Sequence, residues 1–408
     1  MSRLLSEQDK KVIVEEKLKG TASRKIGEMI GRGKSTVNDY YNKYISELSE
    51  SESSDISEAE IETLCESSDV AISNLAKRLR TAQRTNTQLR RIQREMFDQD
   101  VNFKSHIKAV ENVVGRINPN PVKNLSSPSN TKGKPPATIE ILFSDLQIGK
   151  VGEHYDTSKA IKAIKEYGNS VLSYIDRMSE YYFIERIVFE SLGDIVEDHM
   201  KHGVQSATST DSGLSEQMAN AITYVWEDVL YPLFSLGIDT DVLCIAGNHG
   251  SSQHKGMDMF KAGLYSYDYT IYKTWELLTK GCEFNNVEFI IPEGVFGYLN
   301  IYGNYLIAEH GYFNSATEKS MTDQMKKRGQ QIKKHVEYFR CGDMHHTCSY
   351  DSHRLVLNGA FFGVDQGGVE YSGIIGFNSV PSQVVMLHSP EERIGRNTVK
   401  DFHVIQLA

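Results

Sequence analysis

The chain has 408 residues, 39% of them apolar and 24% charged, which gives a sizeable core and room for two or three domains. No run approaches the roughly 20 apolar residues of a membrane-spanning helix, and the first residues carry no signal-peptide pattern, so a cytoplasmic protein without a membrane partner is expected. The five cysteines form no CxxC pair, which argues against a disulfide scaffold or a thiolate zinc site. The net charge of −9 hides a segregated pattern. Residues 1–45 hold ten basic against six acidic side chains, 46–70 hold nine acids and no base, and 71–118 hold ten basic against four acidic.

The first 45 residues read as three short helices. Val12, Ile13, Val14 and Leu18 belong to the first, Gly20 stops it, and Thr21 or Ser23 caps a second that carries Ile26, Met29 and Ile30. Gly31-Arg32-Gly33 breaks the chain before a third helix opens at Ser35-Thr36-Val37. This order resembles a helix-turn-helix DNA-binding unit, which implies that Lys34, Ser35, Thr36, Asn38 and Asp39 face the major groove, with Arg24, Lys25 and Arg32 crowding the turn. The competing reading is a small helical bundle for protein contact.

Residues 46–70 are acidic, serine-rich and unable to repay their ordering entropy, so they read as a solvated linker. Residues 71–116 carry apolar side chains three and four apart with Asn86 in the seam, and Lys77, Arg78, Arg80, Arg84, Arg90, Arg91 and Arg94 elsewhere. A basic helix of this kind needs a partner, so self-association into a homo-oligomer, or docking on the next domain, is expected. The proline- and serine-rich stretch 117–136 marks a boundary, and residues 137–408 form the last domain.

In that domain short apolar runs alternate with helical stretches. Strands are expected at Thr138–Phe143, Arg186–Glu190, Val242–Ala246, Val287–Ile291, Leu299–Tyr302, Tyr305–Ala308, Tyr338–Cys341, Leu355–Leu357, Gln383–Leu387 and Phe402–Leu407, with helices at 158–179, 213–236, 262–280 and 317–335. The fold class is a layered α/β domain. Metal-competent residues follow the strands in order: Ser144-Asp145-Leu146-Gln147, Gly193-Asp194-Ile195-Val196-Glu197, Gly247-Asn248-His249-Gly250, Glu309-His310-Gly311 and Gly342-Asp343-Met344-His345-His346. Carboxyl ends of neighbouring strands meet at one edge, so five such loops can converge.

This order resembles the signature of calcineurin-like metallophosphoesterases (Asp-x-His, Gly-Asp, Gly-Asn-His, His-Gly, Gly-His-x-His) over residues 137–350. The resemblance implies an α/β (four-layer α+β) fold, a β-sandwich flanked by helices, with two divalent cations at the strand ends. Asp145 and His345 would bind the first ion, Asp194 would bridge, and Asn248 and His310 would bind the second. His249 would sit at the leaving group or the scissile phosphate as the catalytic partner of Asp194, with Glu197 orienting the Gly-Asp loop or His249. Two positions depart: Gln147 and Asp343 stand where the pattern has histidines. Both still offer oxygen ligands, which shifts preference from zinc towards manganese or magnesium. His154, His199, His202 and His346 are nearby imidazoles. The implied chemistry is attack on phosphorus by a metal-activated water. Joined to a DNA-reading head and a basic helix, it points to a manganese-preferring DNA nuclease, in the repair-exonuclease or phage-encoded branch. The alternatives are a DNA-binding regulator with a weak or inactive phosphoesterase domain, and a phosphatase or cyclic-nucleotide phosphodiesterase.

Overall fold

In the computed structural model the described residues are 5–18, 23–38, 40–41, 133–198, 210–251, 257, 261–312, 315–364, 371–374, 376–391 and 397–407. The expected linker 46–70, the basic helix 71–116, and Asp39, His199 and His202 lie outside them. The chain divides into two units, Met1–Asp98 and Gln99–Ala408.

In the first unit, helices α1 (Glu7–Leu18) and α2 (Ser23–Ile30) are followed by helical residues 34–38, 40 and 41. Ile13, Ile26 and Val37 are fully buried against one another, with Leu5, Ile30, Tyr40 and Tyr41 packed around them. The turn between α2 and the third helical stretch is tight. Gly31 takes a positive φ of 64°, and a Cβ on Gly27 would strike the Arg32 carbonyl at 2.5 Å.

The second unit holds two sheets. Strands β1 (Pro136–Phe143), β2 (Phe183–Ser191), β3 (Asp239–Cys244) and β4 (Val287–Ile290) run parallel to one another. Strands β10 (Ser382–His388) and β11 (Val399–Gln406) add antiparallel to β1, giving the order β11-β10-β1-β2-β3-β4. The second sheet has the order β5-β6-β7-β9-β8, from β5 (Phe296–Ile301), β6 (Asn304–Glu309), β7 (Val336–Cys341), β8 (Cys348–Tyr350) and β9 (Leu355–Leu357). Every expected strand is present, and β8 is an addition. It is three half-buried residues long, too short for period-two alternation to mark it.

Helix α3 (Thr157–Ser179) begins where the Asp156 side chain accepts from the Lys159 N–H at 2.8 Å, and it buries Ala160, Ile164, Tyr167, Val171 and Tyr174 at helical spacing. Helix α4 (Leu214–Val225) runs into a π turn, Trp226–Leu230, just before Pro232, which has no N–H to close an α-type bond. The helix expected over 262–280 is a 3-10 turn, Ala262–Tyr265, followed by α5 (Tyr267–Gly281), whose N-cap is Ser266. Helices α3, α4 and α5 pack with Ile139, Ile141, Phe143 and Phe189 on the outer face of the first sheet. Leu142, Val188, Leu243, Leu306, Tyr338 and Met386 fill the space between the sheets. Met321 of α6 (Glu318–Ile332) packs with Ile307, Phe339 and Leu355 on the far face of the second sheet. These are the four layers, helix, sheet, sheet, helix, that the resemblance implied.

Charge also crosses the intersheet space. Fully buried Arg340 of β7 donates to both carboxylate oxygens of Glu140 on β1, and His388 of β10 meets Glu140 Oε2 at 2.6 Å. Glu190 of β2 lies beside them; burial first, and then the negative Glu140, push its carboxyl well above the usual range.

Candidate metal centre

The parallel strands β1, β2 and β3 end side by side, and backbone bonds lace the loops that leave them. Asp145 N–H donates to the Gly193 carbonyl at 3.1 Å, Gln147 to that of Asp194 at 2.9 Å, and Gly342 to that of His310 at 2.6 Å. Five of the seven expected ligands, Asp145, Gln147, Asp194, Asp343 and His345, hold φ between 40° and 68°. A non-glycine residue in this left-handed region is strained by roughly 1–3 kcal/mol, and such strain collects where a side chain must be aimed.

The aimed side chains converge. His310 Nε2 lies 3.1 Å from Asp194 Oδ2 and 3.3 Å from Asp343 Oδ1, and His345 Nε2 lies 3.6 Å from Asp145 Oδ1. One ligand atom from each of Asp145, Asp194 and His310 falls within 4.8 Å of the others. Asp194 Oδ2 and His310 Nε2 are buried and make no hydrogen bond among the described residues. Their 3.1 Å approach is thus a contact between two groups aimed at a common point. The other nitrogen of His310, Nδ1, faces the Leu192 carbonyl at 2.7 Å, leaving Nε2 as the lone-pair nitrogen that a metal takes. Buried oxygen and nitrogen atoms without donors, on carboxylates and an imidazole, fit a divalent cation.

Electrostatics agree with that fit. Burial opposes ionisation of Asp194, but the imidazoles of His310 and His249 outweigh it and hold the carboxyl well below its ordinary range. Asp145 goes the other way: burial raises it to about 6, against His310 and His345. His310 is held far above an ordinary imidazole because Asp194 and Asp343 overcome the cost of burying it. A divalent cation supplies the positive charge that these imidazolium protons otherwise provide.

Asn248 and His249 leave β3 against Asp194. The His249 N–H donates to Asp194 Oδ1 at 2.7 Å, and a Cβ on Gly247 would meet Asp194 Oδ1 at 2.1 Å, so only glycine permits this approach. The His249 ring sits further off, with Nε2 3.9 Å from Asp194 Oδ2. Its Nδ1 is 3.2 Å from Glu197 Oε2 and 3.1 Å from the Glu197 carbonyl. Burial lowers the His249 pKa, yet Glu197 and then Asp194 more than reverse this and raise it to about 9.

The two departures from the pattern differ. Asp343 joins His310, and its N–H donates to both oxygens of Asp145 at 3.2 Å. Gln147 instead spends its amide on neighbours: Nε2 lies 3.0 Å from His345 Nε2, and Oε1 accepts from Lys150 Nζ at 3.2 Å. His154 is paired loosely with Glu153 at 3.7 Å, and His346 stacks on Phe377 at 4.0 Å.

Sequence reasoning missed the residues that brace this centre. Asp268, fully buried in the first turn of α5, accepts from the N–H groups of Asp194, Ile195 and Gly247 at 3.1, 3.2 and 2.8 Å, tying two ligand loops to one carboxylate. Gln383 and Asn358 brace the first loop: Ser144 N–H donates to Gln383 Oε1 at 3.0 Å, and Asn358 Nδ2 donates to Ser144 Oγ at 2.9 Å. The available signal for Asp268 was the stretch Ser266-Tyr267-Asp268, a serine followed closely by an acid, which is a common surface pattern and lay inside the helix expected over 262–280.

In the first unit, Arg24, Lys25, Lys34 and Ser35 are exposed, and Arg32 and Thr36 are half-buried. Asn38 is turned inward: its Oδ1 accepts from Ser23 Oγ at 2.7 Å and from Lys17 Nζ at 3.3 Å, tying the third helical stretch to α1 and α2.

No family model matches the chain, and no curated protein matches it. Among solved structures, the chain is similar to Vacuolar Protein Sorting 29 from Cryptosporidium parvum, at 10% identity over 66% of this chain and 98% of that one, with a TM-score of 0.29. It is also similar to a hypothetical protein from Pyrococcus horikoshii, at 12% identity over 66% and 88% with a TM-score of 0.31. A Streptococcus pneumoniae protein described as a predicted phosphoesterase gives 8% identity over 66% and 98%, and a TM-score of 0.26. Scores this low leave the chemistry of the chain to its own residues.

Proposed function

We propose that residues 137–408 form a metal-dependent phosphoester hydrolase and that its substrate is DNA. The observation that carries the first part is the pair of buried, undonated atoms Asp194 Oδ2 and His310 Nε2, within 4.8 Å of an Asp145 oxygen, beside a His249 that Glu197 keeps protonated. A divalent cation bound there supplies Lewis acidity and a water of lowered pKa. The residues do the rest. Asp145, Asp194, Asn248, His310 and Asp343 would hold the ion, and their mainly oxygen donors would favour manganese or magnesium over zinc. His249 faces the same point as an acid, placed to stabilise a phosphoryl oxygen or protonate a departing one. Glu197 fixes its ring and its charge. The DNA part of the proposal draws on the exposed Arg24, Lys25, Lys34 and Ser35 of the first unit, side chains that contact phosphates.

The test incubates the full chain with plasmid and linear DNA in manganese, magnesium or chelator. Cleavage that needs metal and disappears in Asp194→Ala and His249→Ala is expected. Cleavage that survives both changes removes the site assignment. DNA binding without cleavage in any metal supports the regulator reading instead. Combined Arg24→Ala and Lys25→Ala should lower the slope of log affinity against log salt by about 2, and an unchanged slope removes the DNA-reading role of the first unit.

A further inference from the structure

The first strand-end loop does something the metallophosphoesterase pattern does not imply. An ammonium only donates, so the 3.2 Å contact from Lys150 Nζ fixes the Gln147 amide with its oxygen towards Lys150. The amide NH2 therefore points the other way, at His345 Nε2, 3.0 Å off, and uses that nitrogen's lone pair. Gln147 is fully buried and His345 nearly so, which holds the pairing away from water. Phe362 closes the set: Lys150 Nζ lies 4.6 Å from its ring centroid, and the same ring packs edge-on against His345 at 4.8 Å. On this side an incoming cation would meet amide N–H groups and an ammonium in place of a carbonyl oxygen and an imidazole lone pair. On the Asp194–His310 side, by contrast, Asp194 Oδ2 and His310 Nε2 are buried, 3.1 Å apart and without a hydrogen-bond partner among the described residues.

We propose that the chain holds one divalent cation, on the Asp194–His310 side, and that Gln147, oriented by the Lys150 ammonium and turned to His345, closes the other side to a second ion. The positive potential of Lys150 also reaches Glu197 and His249. Lys150 is then a positioning residue for a phosphate oxygen. That last role rests on the hydrolase reading, but the ion count does not.

Titration calorimetry and equilibrium dialysis with manganese, without substrate, count ions on the full chain. One ion per chain is expected for the native sequence and none for Asp194→Ala. The double change Gln147→His with Lys150→Met supplies an imidazole and removes the blocking charge, and should bind two. Paramagnetic resonance of the manganese-loaded double variant should then show a spin-coupled pair absent from the native protein. Two ions, or a coupled pair, in the native protein overturn the proposal. A double variant that stays at one ion overturns the assignment of Gln147 and Lys150 as the block. For the positioning role, Lys150→Met should weaken inorganic phosphate binding to the manganese-loaded protein about 10- to 100-fold, the loss of one charge-assisted hydrogen bond. Unchanged phosphate affinity removes that role. An inactive protein that binds one ion would defeat the hydrolase reading and leave the ion count standing.

Discussion

His249 is the residue whose ionisation the surrounding charges decide. Its imidazolium is the form a departing oxygen needs, and with a pKa raised to about 9 it persists through neutrality and is lost as pH rises through that value. Glu197 is the larger of the two raising influences, ahead of Asp194, and it remains when a cation occupies Asp194, while the cation's own charge opposes the imidazolium. Metal-dependent hydrolysis should therefore fall on the alkaline side, at a pH below 9. Glu197→Gln removes the negative charge while keeping an oxygen near Nδ1, and should move that limb towards neutral pH. A pH–rate profile of kcat/KM for both proteins measures this. That these side chains would gather was legible in the chain, because Asp145, Asp194, Asn248, His249, His310 and His345 announce themselves by type and by position after an apolar run. The exception was Gln147. As a residue it reads as an oxygen ligand, and only its neighbours Lys150 and His345 show its amide turned to other uses.

At the scale of elements, the site is a set of loops held in strained conformations by partners on other elements. Asp268 is the clearest case. Truncation to alanine strips the acceptor from three buried N–H groups in two loops, each worth roughly 1–3 kcal/mol when left unsatisfied. Asp268→Ala should therefore lower unfolding free energy by several kcal/mol in urea titration and also weaken manganese binding. Asp268→Asn keeps one acceptor and should lose less of both. Gly247→Ala tests the loops differently. The added methyl group meets the Asp194 carboxylate at 2.1 Å, so manganese affinity should drop at least about tenfold while far-ultraviolet circular dichroism stays native. A variant with normal affinity would show that the two loops can part without consequence. Elements themselves were legible wherever burial imposed a period. Strand β1 is buried on both faces and reads as an apolar run broken only by Thr138 and Glu140, and α3 shows its stripe openly. Strand β8 and the π turn before Pro232 were not legible, because three residues carry no period and a proline announces a break without saying which geometry absorbs it.

Across the second unit, the two sheets are joined by packing and by the Glu140–Arg340–His388 cluster, a pairing no local pattern signals, since Glu140 and Arg340 lie 200 residues apart. Arg340 is fully buried and faces Glu140 with Glu190 close by. Removing one partner of such a cluster strands the others, at a cost of about 3–5 kcal/mol. Arg340→Met should lower the urea midpoint accordingly, and adding Glu140→Gln to it should recover part of the loss by removing the stranded charge. If the single change is neutral, the cluster contributes nothing to holding the sheets together.

The sequence by itself determined the layered α/β alternation and the kinds of residue that arrive at the strand ends, because strand and helix periods and the chemistry of Asp, Asn and His are local properties of the chain. Only the tertiary structure decided which of those residues come within reach of one another, which amide turns away, and that Asp268, Asn358 and Gln383 brace the loops that carry them. Those outcomes depend on which distant loops the sheets bring within hydrogen-bonding reach, and no local period encodes a distance between residues that are tens or hundreds of positions apart.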